Sequence, residues 1–247
     1  MSKFKKIGIP IWSNLDSQMI GITKPYYSFI IEQLECIPKL INWSNKEVED
    51  IDLLLLPGGP DIDSQRYGEI PSIYNTRPCP QREYFDKEVL PLYITSGIPI
   101  FGICRGEQSL AVSFGAKLIQ HLPYHSYSDK SRDQEVHSVV VPLRLIKDSK
   151  INKPIAGERT FKILEPFTTE KAKYKVNSLH HQCVDRRNHG LMEPFLFSNP
   201  DTHVEGMFHK ELPIIAIQWH PEEMIYDVLS LNLIRYLLDT KQALGKV

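Results

Sequence analysis

Short, nearly unbroken apolar runs that end at glycine or proline constrain this chain more than any other feature. Leu53-Leu54-Leu55-Leu56 leads into Pro57-Gly58-Gly59-Pro60, Pro99-Ile100-Phe101-Gly102-Ile103 leads into Cys104, and Ile214-Ile215-Ala216-Ile217 leads toward His220-Pro221. A strand that is apolar at every position has both faces buried, as in a parallel sheet covered by helices on each side. Strands are predicted at residues 6–11, 51–56, 99–103, 136–141, 175–178, 195–198 and 213–219. Amphipathic stretches predict helices at 25–34, 82–96, 106–114 and 222–243. In the last, Met224, Ile225, Val228, Leu231, Ile234 and Leu238 fit one buried face, and Glu222, Glu223 and Asp227 suit its first turns. The expected class is α/β, with a mostly parallel central sheet flanked by helices.

No repeat, low-complexity tract or Gly/Ser linker divides the 247 residues, so one domain over 1–247 is expected. Residues 147–175, mixed in charge and holding Pro154, Gly157 and Pro166, read as a surface excursion. Lys plus Arg is 29 and Asp plus Glu is 30, a balance that argues against nucleic acid as a partner. Cys36, Cys79, Cys104 and Cys183 stand far apart without a Cys-x-x-Cys pair, which disfavours a disulfide framework or a four-thiolate zinc site. The first residues are basic but their apolar run is short and broken by Pro10, so they read as a strand and not a signal peptide. Residues 89–104 are uncharged yet too short, and too proline-interrupted, to span a bilayer. A cytoplasmic protein without membrane contact, metal or cofactor is expected.

Chemistry concentrates at three places. In Gly102-Ile103-Cys104-Arg105-Gly106-Glu107-Gln108 a buried strand turns sharply into a helix at a cysteine flanked by glycines. That is the layout of a nucleophile elbow, in which small neighbours permit the turn and a helix N-terminus favours the reactive thiolate. The N–H of Arg105 can then point at a developing oxyanion. His220, at the end of the last apolar run, is followed two residues later by Glu222, which can orient an imidazole. Gly58-Gly59 lets backbone amides approach a substrate oxygen, and the Gly59 N–H is the expected partner of the Arg105 N–H.

Pro-Gly-Gly, then Gly-x-Cys-x-Gly-x-Gln, then His-Pro-Glu, in that order, resembles the class I glutamine amidotransferase superfamily, over nearly the whole chain. Within it the sequence is similar to the γ-glutamyl hydrolase branch typified by γ-glutamyl-γ-aminobutyrate hydrolase, through Gly58-Gly59-Pro60-Asp61-Ile62-Asp63, Tyr67-Gly68, the Cys104 window, and Val176-Asn177-Ser178-Leu179-His180-His181-Gln182. The resemblance implies a flavodoxin-like sheet and a Cys104-His220-Glu222 triad cleaving a γ-glutamyl amide through a thioester. It implies that Gly58, Gln108, Ser178, His180, His181, Gln182 and Glu205 border the substrate. The chain departs from the branch at Arg82-Glu83-Tyr84-Phe85-Asp86, where both acids are exchanged, and at Gly115-Ala116, Gln120-His121 and Glu35-Cys36.

On an extended segment His180 and His181 point to opposite faces, so at most one is expected to reach a given site. Pro123 between His121 and His125 argues against a helical metal face there. Two other functions stay open at this level: a glutaminase subunit handing ammonia to a separate synthetase, and a catalytically silent binding module. A small γ-glutamyl compound is the expected partner, and a homodimer is compatible with the sequence.

Overall fold

A computed structural model describes residues 4–13, 20–123, 137–140, 174–199 and 202–244. The strands are β1 (Lys6–Ser13), β2 (Ile20–Gly21), β3 (Ile37–Asn42), β4 (Leu53–Leu56), β5 (Ile100–Ile103), β6 (Leu118–Ile119), β7 (His137–Val140), β8 (Tyr174–Val176), β9 (Cys183–Val184), β10 (Met192–Asn199), β11 (Val204–His209) and β12 (Ile214–Ile217). The α-helices are α1 (Lys24–Ser28), α2 (Pro80–Tyr84), α3 (Leu90–Ser96), α4 (Arg105–Ser113) and α5 (Val228–Leu244).

The strands β3-β1-β4-β5-β12 pair in parallel, which in chain order is the 2-1-3-4-5 arrangement of a flavodoxin-like sheet. Beyond β12 the sheet continues antiparallel through β11, β10, β7 and β8. Side chains alternate between two cores. Leu53 and Leu55 of β4 pack with Phe29, Ile30 and the Leu229 to Leu238 face of α5. Leu54 and Leu56 pack on the other side with Phe85, Val89 and Leu110. All four leucines are fully buried, each contributing about 1.5–3 kcal/mol. Loss of water contact on both faces is what the unbroken apolar run required.

Several features differ from expectation. β3 was not anticipated because Pro38 and Lys39 interrupt its apolar character; it pairs with β1 at the end of the parallel order, where a proline is tolerated. β11 was hidden by Glu205 and Gly206, yet all its residues are buried. The single helix predicted over 82–96 is α2, a π-helical turn at Phe85–Val89, then α3. Pro91 lacks the N–H that would continue α-type bonding into the preceding turn.

The last helix begins at Val228, six residues later than expected, after a 3₁₀ turn at Pro221–Glu223. Asp227 decides the start. Its carboxylate accepts hydrogen bonds from the Ser230 N–H at 3.2 Å, the Ser230 hydroxyl at 2.5 Å, Trp219 Nε1 at 2.6 Å and the Tyr174 hydroxyl at 2.5 Å. That is an N-cap tied into the core, whereas Ile225 is 97% exposed. The expected surface excursion at 147–175 falls almost wholly outside the described residues, as does His125.

Candidate active site

The C-terminal ends of β1, β4, β5 and β12 meet at one edge of the sheet, beside the point where strand order reverses. Open α/β sheets place their ligands in that crevice. β5 delivers Cys104, which adopts φ 52° and ψ −107°, a left-handed conformation that is strained for a side-chain-bearing residue. The flanking glycines make the turn sterically feasible. A Cβ on Gly106 would lie 2.2 Å from the Leu56 carbonyl oxygen, and one on Gly102 would lie 2.7 Å from the Gly106 carbonyl carbon. α4 therefore starts pressed against β4 and β5, with Cys104 at its head and the Arg105 N–H at its first residue, where helix amides lack an intrahelical acceptor.

β12 delivers His220, whose Nδ1 lies 2.6 Å from Glu222 Oε1. Burial opposes charging of this imidazole, but the Cys104 sulfur and the Glu222 carboxylate override it and hold its pKa well above the ordinary histidine value. Asn177 grips the backbone of the same residue from both sides. Its Oδ1 accepts the His220 N–H at 2.8 Å, and its Nδ2 donates to the His220 carbonyl at 2.8 Å. Asn177 stands in the Val176–Gln182 stretch that carries the resemblance, but nothing in the sequence assigned it this hold on His220.

The Pro57-Gly58-Gly59 turn is held by two residues from elsewhere. The Gly58 N–H donates to the Tyr26 hydroxyl at 2.8 Å. Burial, followed by the nearby Glu222 charge, pushes the Tyr26 phenol well above its usual pKa, so it stays protonated. Arg82, fully buried, donates from Nη1 to the Gly58 carbonyl and from Nη2 to the Pro57 carbonyl, both at 3.0 Å. Burial, with Arg105 next in effect, lowers the Arg82 pKa to about 9. The Arg105 side chain turns away from the crevice to Asp86 Oδ2 and Glu83 Oε1, each at 2.7 Å, and Arg66 joins Asp86 at 3.0 Å. The 82–86 stretch, noticed in the sequence for its charges, thus clamps the glycine turn and the elbow together.

Two cavities flank the Cys104–His220 pair. The smaller, about 180 Å³, is lined by Cys104, Gln108, Asp61, His180, His181 and Gln182 among others. The larger, about 510 Å³, is lined by His220, Glu222, Gly58 and a mostly apolar wall. Gly59, Pro60 and Leu179 border both. Both adjacent histidines reach the smaller cavity, contrary to the alternation expected, because the chain bends at His181 instead of continuing extended. His181 Nε2 lies 3.1 Å from both oxygens of Asp61, and His180 Nδ1 donates to the Gln182 carbonyl at 2.9 Å. Gln108 Nε2 donates to the Gln182 carbonyl and to Gln218 Oε1, each at 3.1 Å. Ser178 and Glu205 line neither cavity; Glu205 sits behind His180, 3.7 Å from its Nε2.

Glu107 is fully buried, and burial, followed by the Glu205 charge, pushes its pKa well above the ordinary carboxylate value. Among the described residues no group of three or more His, Cys, Asp or Glu side chains is arranged to hold a metal ion.

A model of the peptidase C26 family matches residues 14–222. The chain belongs to that family. The family is class I glutamine amidotransferase-like. The chain is 30% identical, over 178 residues, to the glutamine amidotransferase-like protein YvdE of Lactococcus lactis, covering 70% of this chain and 66% of that protein. It is 27% identical over 177 residues to a γ-glutamyl-γ-aminobutyrate hydrolase of Escherichia coli, covering 70% and 64%. It thus spans just under two thirds of the length of both relatives. A chain in the structure of PurLQS from Thermotoga maritima superimposes with a TM-score of 0.57 at 17% identity, covering 96% of this chain and 98% of that one, a likeness of fold. Among the described residues no helix is long and apolar enough to cross a membrane.

Proposed function

We propose that this family member is a cysteine-dependent hydrolase of γ-glutamyl amides. The observation that carries the reading is the Cys104 elbow at φ 52° beside a His220–Glu222 pair at 2.6 Å. The Cys104 sulfur attacks the γ-carbonyl carbon, and the oxyanion is received by the N–H groups of Gly59 and Arg105. His220, charged and oriented by Glu222, donates its proton to the departing nitrogen as the C–N bond breaks, leaving a γ-glutamyl thioester. Water then attacks the thioester with His220 as base, a second oxyanion collapses, and Cys104 leaves as thiolate. Gln108, His180, His181 and Gln182 face the glutamyl half from the smaller cavity.

The volume on the His220 side supports a leaving group larger than ammonia. A water-sized molecule occupies about 30 Å³, and that cavity holds about 510 Å³. Purified protein should release glutamate from substituted γ-glutamyl amides without any second protein, and Cys104→Ala should not. Turnover of glutamine alone, or only after addition of a synthetase, would replace this reading with that of an ammonia-delivering subunit.

Asn177→Ala supplies a finer check. It removes both backbone anchors of His220, and misplacing a catalytic group by a fraction of an ångström to an ångström costs about 10- to 100-fold in rate. The expected result is a kcat lowered by about that factor with KM little changed, read by steady-state kinetics.

A further inference from the structure

We propose that the amine half of the substrate carries no carboxylate and is instead an alkyl or aryl chain ending in an ammonium group, seated in the larger cavity. The inference rests on the γ-glutamyl hydrolase reading. Direction comes first: His220 lines this cavity and must protonate the leaving nitrogen, so the amine half extends on the His220 side. Cys104 lines the smaller cavity with Gln108 and His181, which places the glutamyl half there.

The walls then set the chemistry. Trp12, Ile22, Tyr26, Pro57, Pro60 and Leu179 give an apolar body site. The charged groups at its margin are the carboxylates of Glu222 and Glu223, and among the described residues lining it there is no lysine or arginine. Among the described residues the Arg82 guanidinium lies 4.2 Å from the Trp12 ring centroid, but it is fully buried and its two terminal nitrogens are held by the Pro57 and Gly58 carbonyls. It cannot turn to meet a ligand carboxylate without releasing the glycine turn. Glu222 is engaged with His220, which leaves Glu223, half-buried at the rim, to meet a distal cation. A carboxylate-tipped amine would instead be placed beside like charge, and interfaces use that juxtaposition to reject partners.

A matched set tests this: γ-glutamyl amides of 1,5-diaminopentane, n-pentylamine and 5-aminopentanoate, alike in body and different only at the far end. The expected order of kcat/KM is diamine, then alkyl, then aminopentanoate, with the last at least about tenfold below the first. Glu223→Gln should compress the diamine-to-alkyl ratio by about fivefold, the scale of one part-exposed charge pair. Product inhibition of the wild-type protein gives a second readout, with free 1,5-diaminopentane inhibiting more strongly than 5-aminopentanoate. Preference for the aminopentanoate amide, or an unchanged ratio in Glu223→Gln, overturns the inference and leaves the hydrolase reading standing. Turnover of glutamine with none of the three overturns the hydrolase reading itself.

Discussion

Asp86→Ala is expected to lower folding stability by about 3–5 kcal/mol, the cost of stranding a buried charge by removing its partner. Asp86 is 2% exposed and its Oδ2 receives Arg105 at 2.7 Å and Arg66 at 3.0 Å. Without it, Arg105 keeps only Glu83 in a site from which water is excluded. In the wild-type protein Asp86, ahead of Glu83, is what holds the Arg105 pKa up against burial, so the variant removes the main counterweight to the desolvation of this guanidinium. Urea denaturation at pH 7 measures the loss as a lower midpoint. Asp86→Asn, which preserves shape but not charge, should recover only part of it. A loss under about 1 kcal/mol, the range of solvent-exposed pairs, would mean the network is open to water.

The same residue gives the loss a pH signature. Burial by itself would raise the Asp86 pKa, but Arg105, Arg82 and Arg66 together hold it below the usual aspartate value. A carboxyl with a depressed folded pKa stabilises fully above its unfolded value of about 3.9, and that contribution disappears as pH falls through the folded value. The wild-type advantage over Asp86→Ala should therefore shrink progressively below about pH 4.

Those charges mark a boundary between what a sequence reveals and what it hides. Cys104 between two glycines, His220 two residues before Glu222, and Gly58-Gly59 after four leucines are legible because each motif is local in the chain. The parallel strands β4, β5 and β12 were legible because burial on both faces leaves an unbroken apolar signature, whereas β3, interrupted by Pro38 and Lys39 and largely unburied, was not. Arg105 and Asp86 are 19 positions apart and meet only through packing of α4 on the segment after α2; in the sequence, charges at 82–86 look equally suited to a solvated helix face. Glu222 and Glu223 resemble first-turn acids of a helix, and only the bonds from Trp219, Tyr174 and Ser230 to Asp227 move that start six residues on. The alternation rule failed at His180 and His181 because it presumes extended backbone, and the chain bends there. Tyr26, 32 residues before Gly58, carried no signal at all as a support for the glycine turn.

Glu222→Gln is expected to lower kcat by about 10²- to 10⁴-fold, with a shift in pH dependence that a merely structural residue would not produce. At 2.6 Å from His220 Nδ1, the Glu222 carboxylate accepts the Nδ1 proton and so presents Nε2 toward the reacting atoms. A glutamine amide in the same place can instead donate its N–H to Nδ1, moving the ring proton to Nε2 and leaving no basic nitrogen for the Cys104 proton. If the amide turns its oxygen inward the tautomer survives, but the charge is gone. In either case one of the two influences holding the His220 pKa up is lost, while burial still pulls it down. On the proposed mechanism His220 must be charged to protonate the leaving nitrogen, so the alkaline limb of kcat/KM should move to lower pH in the variant. Tyr26→Phe provides the contrast: it leaves the Gly58 N–H without its acceptor and, although the phenol also faces Glu222, it leaves that carboxylate in place, so it should weaken oxyanion support and move the limb less than Glu222→Gln does. An unmoved limb in Glu222→Gln, with kcat reduced less than about fivefold, would show that Glu222 does not set the proton inventory of His220 and would return the orienting role to Asn177.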